Sequence, residues 1–258
     1  MSSITFEELL VASGNSLHYR VVNALRARGW DVLVSPFYRD GFSDKPREID
    51  IVAQKLYPFA VDNVAGAGQV VVRLFIECKY VNTKTIFWFD EKDKVRAASF
   101  LAKYGSVKDY PGLARLHYHT TDEVAKLFNT ENDRAREDWV FGAINQSLNS
   151  LIANRSAIHM FGYQVKFRDL FNYPLVVVNS FESIRSVDQK SPGVINEIKD
   201  PFLVEINYVT PDVSGKDSNE YFLIDFLSEQ NLDDFLNAFE SEDVAALKGK
   251  RFWELDNK

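Results

Sequence analysis

Hydrophobic and polar positions change their period repeatedly along this chain, and each change marks an element. Residues 16–28 place Leu17, Val21, Ala24 and Leu25 on one helical stripe, with Arg20, Arg26 and Arg28 outside it. Gly29 follows where a helix commonly ends. Upstream, Thr5 or Ser3 caps a first helical segment containing Glu7 and Glu8, and Ser13-Gly14-Asn15-Ser16 resets the chain. Trp30–Val34 reads as a short strand, Asp40–Pro46 as turn chemistry, and 47–55 as a second strand. Pro58–Gln69 is an extended hairpin connection into a strand over 70–81. Ile86–Phe89 is another apolar stretch, and Asp90 caps a helix running to about Tyr104. Leu116–His119 alternates like a strand, and Thr120 or Thr121 opens a short helix through Phe128. Asn132–Asn154 is the longest helical signal, with Trp139, Ala143, Ile144, Leu148, Leu151 and Ile152 at helical spacing. Beyond it, 162–167, 175–179, 202–209 and 221–227 read as strands and 231–240 as a helix. Helices interleaved with strands, without a linker, predict one mixed α/β body.

Two of these strands break the rule that buried strands are uncharged. In Leu74-Phe75-Ile76-Glu77-Cys78-Lys79-Tyr80, period-two alternation sets Glu77 and Lys79 on one side and Ile76, Cys78 and Tyr80 on the other. In Arg47-Glu48-Ile49-Asp50-Ile51-Val52-Ala53, Ile49, Ile51 and Ala53 share a face, opposite Glu48, Asp50 and Val52. Burying a charge is costly unless it is paired or binds a metal. Paired as neighbours, the strands would gather Asp50, Glu77 and Lys79, a set suited to a divalent cation and a water aimed at a phosphate.

Composition narrows the setting. The fractions of 46% hydrophobic and 26% charged residues are those of a globular protein able to bury a core. Cys78 is the only cysteine, so an intrachain disulfide is impossible and a reducing cytoplasm is the expected location. No stretch has signal-peptide order or bilayer-spanning length, so no membrane association is expected. The net charge of −7 divides unevenly. Residues 1–130 hold 17 Lys and Arg against 15 Asp and Glu, a net of +2, whereas 131–258 hold 13 against 22, a net of −9. The charged strands therefore lie in the half that is not acidic, which leaves room for a basic cleft.

The order of helix, Gly29-Trp30 strand, Arg47-Glu48-Ile49-Asp50 strand, Phe75-Ile76-Glu77-Cys78-Lys79 strand and helix resembles the PD-(D/E)XK superfamily of restriction-endonuclease-like nucleases, over roughly residues 10–110. The resemblance implies a mixed central sheet flanked by helices, with 1–130 as nuclease core and 131–258 as an extended α/β portion packed on the same body. It makes Asp50 the first metal-ligand aspartate, and Glu77 and Lys79 the Glu-x-Lys element. Two departures stand out: no proline directly precedes Asp50, and His18 occupies the position where many members carry a helix glutamate. The remaining ligand is then His18 with Mn²⁺, or Glu7 or Glu8 from the preceding segment. A degraded site is the third alternative.

The activity expected is phosphodiester hydrolysis with Mg²⁺ or Mn²⁺, on DNA in preference to RNA, within a prokaryotic defence or DNA-processing system. Asp50, Glu77 and the Cys78 backbone carbonyl hold the cation, and Lys79 orients the water. Glu48 is an outer ligand, and Gln54, Arg20, Lys45 and Arg47 meet substrate. A homodimer or a defence-system protein is the expected partner besides nucleic acid. The alternative is a nuclease-fold module that has lost catalysis and binds nucleic acid or protein. His117 and His119 read as a surface strand pair, and the Cys78 thiol as an inert buried group.

Overall fold

A computed structural model gives the fold, described for residues 5, 14–41, 43–59, 68–102, 116–131, 138–155, 157, 160–161, 168–211 and 217–249. Helix α1 (Gly14–Ala27) buries Leu17, Val21, Val22 and Leu25, and Gly29 at φ 76° turns the chain out of it. Strand β1 (Asp31–Val34) follows, then β2 (Phe37–Arg39) and β3 (Pro46–Glu48), β4 (Ile51–Phe59), β5 (Gly68–Lys79) and β6 (Thr85–Glu91). Helices α2 (Lys94–Ala102) and α3 (His117–Thr120), strand β7 (Glu123–Thr130) and helix α4 (Trp139–Asn154) come next. The chain continues through β8 (Arg168–Val178), β9 (Ile184–Asp188), β10 (Ile195–Glu197), β11 (Phe202–Pro211) and β12 (Asp217–Ser228). It then enters α5 (Leu232–Ala238) and a wider helical turn, Phe239–Asp243. Among the described residues no helix is long and apolar enough to cross a membrane.

The result is α/β, with one large mixed sheet flanked by helices, in the order β1-β4-β5-β8-β12-β11-β7-β6-β9-β10. Its middle is a parallel trio, since β8 runs parallel to both β5 and β12. These strands are apolar on both faces, the pattern of parallel strands covered on both sides. Val70–Ile76 is buried without interruption, with Arg73 as its one charged member, and Leu175–Val178 is fully buried. Strands from either side of residue 130 interleave, because β8, β12 and β11 stand between β5 and β7. Strands β11 and β7 meet at a single registered pair, Val204 with Ala125, and rings bridge the seam: Phe87 lies 5.0 Å from Phe202 and 5.5 Å from Phe226.

The uneven charge also has a structural outlet. Arg20 pairs with Glu229, Arg28 with Asp233 at 2.9 Å and Lys55 with Glu240 at 2.8 Å, so cations of α1 and β4 meet carboxylates of the segment after β12.

Several sequence expectations are corrected. The strand over 47–55 is two strands in different sheets. β3 pairs with β2 as a separate ribbon, and the main-sheet strand begins only at Ile51. The break comes from a bend at Ser35, which has φ 49°, where the Ser35 N–H donates to Asp50 O at 2.8 Å and the Ile49 N–H to Pro36 O at 3.3 Å. Leu116–His119 is a helical turn, not a strand, and the helix expected through Phe128 is strand β7. Lys92 decides this region by donating its ammonium protons to the carbonyls of Tyr118 (2.6 Å), His119 (3.1 Å) and Thr121, which caps the turn from a distant element. Strand β6 continues through Asp90, and the cap before α2 is Asp93, which accepts from the Arg96 N–H at 3.0 Å. Helix α4 starts at Trp139, capped by Asp138, while 132–137 and the strand expected over 162–167 lie outside the described residues.

Candidate active site

The alternation read in β5 is the key to the site. Residues 73, 75, 77 and 79 turn toward α4: Arg73 donates to Asn154 O at 3.1 Å, Ser147 Oγ donates to Phe75 O at 3.0 Å, and Lys79 Nζ donates to Gln146 Oε1 at 3.0 Å. Strand β4 leaves β5 at the Ile51–Ile76 pair, so the Cys78 N–H has no ladder partner across it. The Asp50 carboxylate fills that place, with Oδ2 accepting from Cys78 N at 2.8 Å. Asp50, Glu77 and Lys79 are thereby brought together.

Glu77 is only 1% exposed. One oxygen, Oε1, accepts from Lys79 Nζ at 2.5 Å, while Oε2 is buried with no hydrogen-bond partner among the described residues. Burial raises its carboxyl to a pKa of about 7, the nearby Asp50 charge adds to the rise, and Lys79 and the Asp50 backbone N–H oppose it. Burial likewise pushes the Cys78 thiol far up, which makes it a poor nucleophile.

Gln146 is the member that sequence reasoning missed. Its Oε1 holds Lys79, and its Nε2 donates to Glu48 O at 3.5 Å, so it ties β5 to the β2–β3 ribbon. The available signal was a cluster of amides, Asn145, Gln146 and Asn149, on a helix that carries no charged residue. The Tyr208 hydroxyl lies 2.7 Å from Asn145 Oδ1 and 3.0 Å from Asn149 Oδ1. Tyr38 of β2 also reaches this region: burial pushes its phenol up, and the charges of Asp40 and Glu77 push it further.

The other predicted residues fall elsewhere. His18 is 8% exposed on α1, and its Nε2 has no hydrogen-bond partner among the described residues. Among the described residues no three His, Cys, Asp or Glu side chains form a group able to hold a metal, so His18 does not complete a trio with Asp50 and Glu77. Glu7 and Glu8 lie outside the described residues. Gln54 is not turned toward a substrate. It is 4% exposed, and its Oε1 accepts from Arg73 Nε at 3.2 Å and Nη2 at 2.7 Å. Arg20 is engaged by Glu229 and Ser16, Arg47 lies 3.5 Å from Asp40, and Lys45 and Glu48 are exposed on the ribbon.

A second polar cluster was not visible in the sequence. His117, expected as a surface strand residue, is clamped by two aspartates: Nδ1 lies 2.7 Å from Asp243 Oδ1 and Nε2 lies 3.1 Å from Asp225 Oδ1. Tyr118 donates its hydroxyl proton to Asp225 Oδ2 at 3.0 Å. Burial works against charge on the imidazole, but Asp225 and Asp243 prevail and raise its pKa to about 10. A cavity of about 150 Å³ adjoins the cluster, lined in part by Phe202, Phe235 and Phe239.

Comparison with known proteins gives no family-model match, no match among curated proteins and none among solved structures.

Proposed function

We propose that this protein is a divalent-metal-dependent phosphodiesterase acting on nucleic acid, DNA in preference to RNA, on a restriction-endonuclease-like fold. The observation that carries the reading is the buried Glu77 oxygen with no partner among the described residues, beside Asp50 and an ammonium group. Leaving a carboxylate oxygen unsatisfied at 1% exposure is expensive, and a cation resolves that expense. The fold reading is supported by chain order: α1, β1, Asp50 at the head of β4, Glu77 and Lys79 on β5, then helices, with the β2–β3 ribbon and β6 interposed.

The donor set suits Mg²⁺ or Mn²⁺, which are hard cations that accept one or two carboxylates and keep several waters. Asp50 and Glu77 would hold the ion, with the Cys78 carbonyl as a third oxygen. Such an ion supplies Lewis-acid charge at the phosphate and a more acidic bound water. The chain's own contribution is positional. Gln146 and Glu77 hold Lys79 Nζ in one place, where its charge meets the negative charge developing on phosphate oxygens. Glu77 must give up its proton to bind a cation, so metal affinity rises with pH through about 7.

The test is cleavage of plasmid and oligonucleotides in Mg²⁺ or Mn²⁺ by wild type, Asp50→Asn and Lys79→Ala. Each substitution is expected to lower the rate by about 100-fold or more with the fold intact. Cleavage that persists unchanged in both variants overturns the assignment. The rival reading, a nuclease-fold module that binds without cutting, is favoured by one observation: among the described residues only two carboxylates, with no third ligating side chain, meet at the site. Calorimetric titration separates the two, since absent Mg²⁺ and Mn²⁺ binding, with no effect of Asp50→Asn, leaves the rival standing.

A further inference from the structure

Tyr38 is the one buried residue in the two strands of the β2–β3 ribbon. It is 7% exposed, between exposed Phe37 and Arg39 and beside a β3 that is exposed throughout. Both ribbon strands pack on α4, so this is the ring that the ribbon lays against the helix whose Gln146 holds Lys79. Gln146 also reaches Glu48 O, which fixes the ribbon there. Two carboxylates lie close enough to act on the phenol, Asp40 and Glu77. Asp40 is already engaged, by Ser43 Oγ at 2.9 Å and by Arg47 at 3.5 Å. Glu77 keeps Oε2 without a partner among the described residues.

Other inward-facing phenols find acceptors. Tyr57 donates to Glu240 at 3.0 Å, Tyr118 to Asp225 at 3.0 Å, Tyr208 to Asn145 at 2.7 Å and Tyr221 to Glu205 at 2.9 Å. Among the described residues the Tyr38 hydroxyl has no such partner, and it is not sealed from solvent as Glu77 Oε2 is. The site thus keeps a donor and an acceptor in one region that do not bond to each other. Packing alone favours joining them, because an unmade hydrogen bond of a buried group is costly. A metal-bound phosphate satisfies both: its oxygen accepts from the phenol, and its cation meets the carboxylate. Burial first, then Asp40 and Glu77, push the phenol up, so it stays a donor across the neutral range.

We propose that Tyr38 is a catalytic residue whose hydroxyl donates to a non-bridging oxygen of the scissile phosphate, alongside Lys79 and the cation. This deepens the phosphodiesterase reading above and rests on it. Tyr38→Phe keeps the ring and removes only the hydroxyl, so its melting temperature is expected within about 2 °C of wild type. Its kcat/KM for cutting a DNA oligonucleotide in Mg²⁺ is expected to fall about ten-fold or more, while Mg²⁺ affinity by calorimetry is unchanged. Binding is read separately by fluorescence anisotropy in Ca²⁺, another oxygen-seeking cation, with one labelled DNA oligonucleotide, single-stranded or annealed to its complement. Tyr38→Phe is expected to bind it about ten-fold more weakly than wild type.

The contact is overturned by an unchanged oligonucleotide affinity in Tyr38→Phe or by a wild type that binds neither form. A melting temperature lowered by more than about 5 °C overturns it too, since the hydroxyl is then already bonded within the fold. Metal-dependent cutting that is silent in Asp50→Asn but unchanged in Tyr38→Phe keeps the hydrolytic reading and removes the phenol from it. Conversely, binding weakened in Tyr38→Phe without cutting in any metal keeps the phosphate contact and removes the hydrolysis.

Discussion

Asp50, Glu77, Lys79 and Gln146 form one buried polar cluster, and His117, Tyr118, Asp225 and Asp243 form another, and the two differ in how completely they are satisfied. Around His117 both ring nitrogens face carboxylates, and Asp225 also accepts from Tyr118. Around Glu77 one carboxylate oxygen is left over, and a second carboxylate, Asp50, faces it. The first arrangement is closed and holds the chain together, tying α3 to β12 and to the turn after α5. The second is open and is poised to receive a further charge. Buried charge alone does not single out a candidate site, whereas buried charge with unmet bonding capacity calls for a partner.

The largest stability effect expected from this contrast lies at the closed cluster. His117→Gln removes the cation between two buried aspartates and should lower unfolding stability by about 3–5 kcal/mol, while the proposed cleavage, measured on the folded fraction, is unchanged. The sign with pH follows from a folded pKa of about 10 against 6.5: the contribution is fully present below about pH 6.5 and is lost as pH rises through 10. Urea unfolding of both proteins between pH 6 and 10.5 checks this, and the idea is sunk by parallel curves.

At the open cluster the sign reverses for the variant. Glu77 has its pKa raised from 4.5 to about 7, so without metal its contribution is present below 4.5 and lost as pH rises through 7. Glu77→Gln should therefore stabilise the metal-free protein at pH 8 by about 2–3 kcal/mol, as read by thermal melts with chelator, while abolishing the proposed hydrolysis. Destabilisation at pH 8 would show that Glu77 is satisfied after all. The smallest effect belongs to the surface clasp, where Arg28→Ala, which removes the pairing with exposed Asp233, should cost about 1 kcal/mol or less.

The sequence made the open cluster legible for a simple reason. Its key residues are two apart on one strand, Glu77 and Lys79, and alternation alone assigns them a common face. Asp50 was placed beside them correctly, yet the strand drawn through it ran too far, because the bend at Ser35 depends on backbone bonds between segments. Gln146 joins Lys79 across 67 positions, and His117 finds Asp225 and Asp243 across 108 and 126, distances over which no local period carries information. Leu116–His119 failed as a strand because the Lys92 ammonium, a tertiary partner, stabilises a helical turn whose buried positions happen to alternate.

The parallel pairing of β5 with β8 has a consequence for how the protein is made. Strand β5, with its apolar edge, must wait for Lys79 to find its register partner Val178. Until synthesis has passed that point, the strand that bears the site has one open side, and non-local pairing of this kind forms slowly. The nascent chain is then most exposed to aggregation while the second half is still emerging from the ribosome. Yield on expression should therefore respond more to the conditions under which residues 168–178 appear than to the stability of the finished sheet.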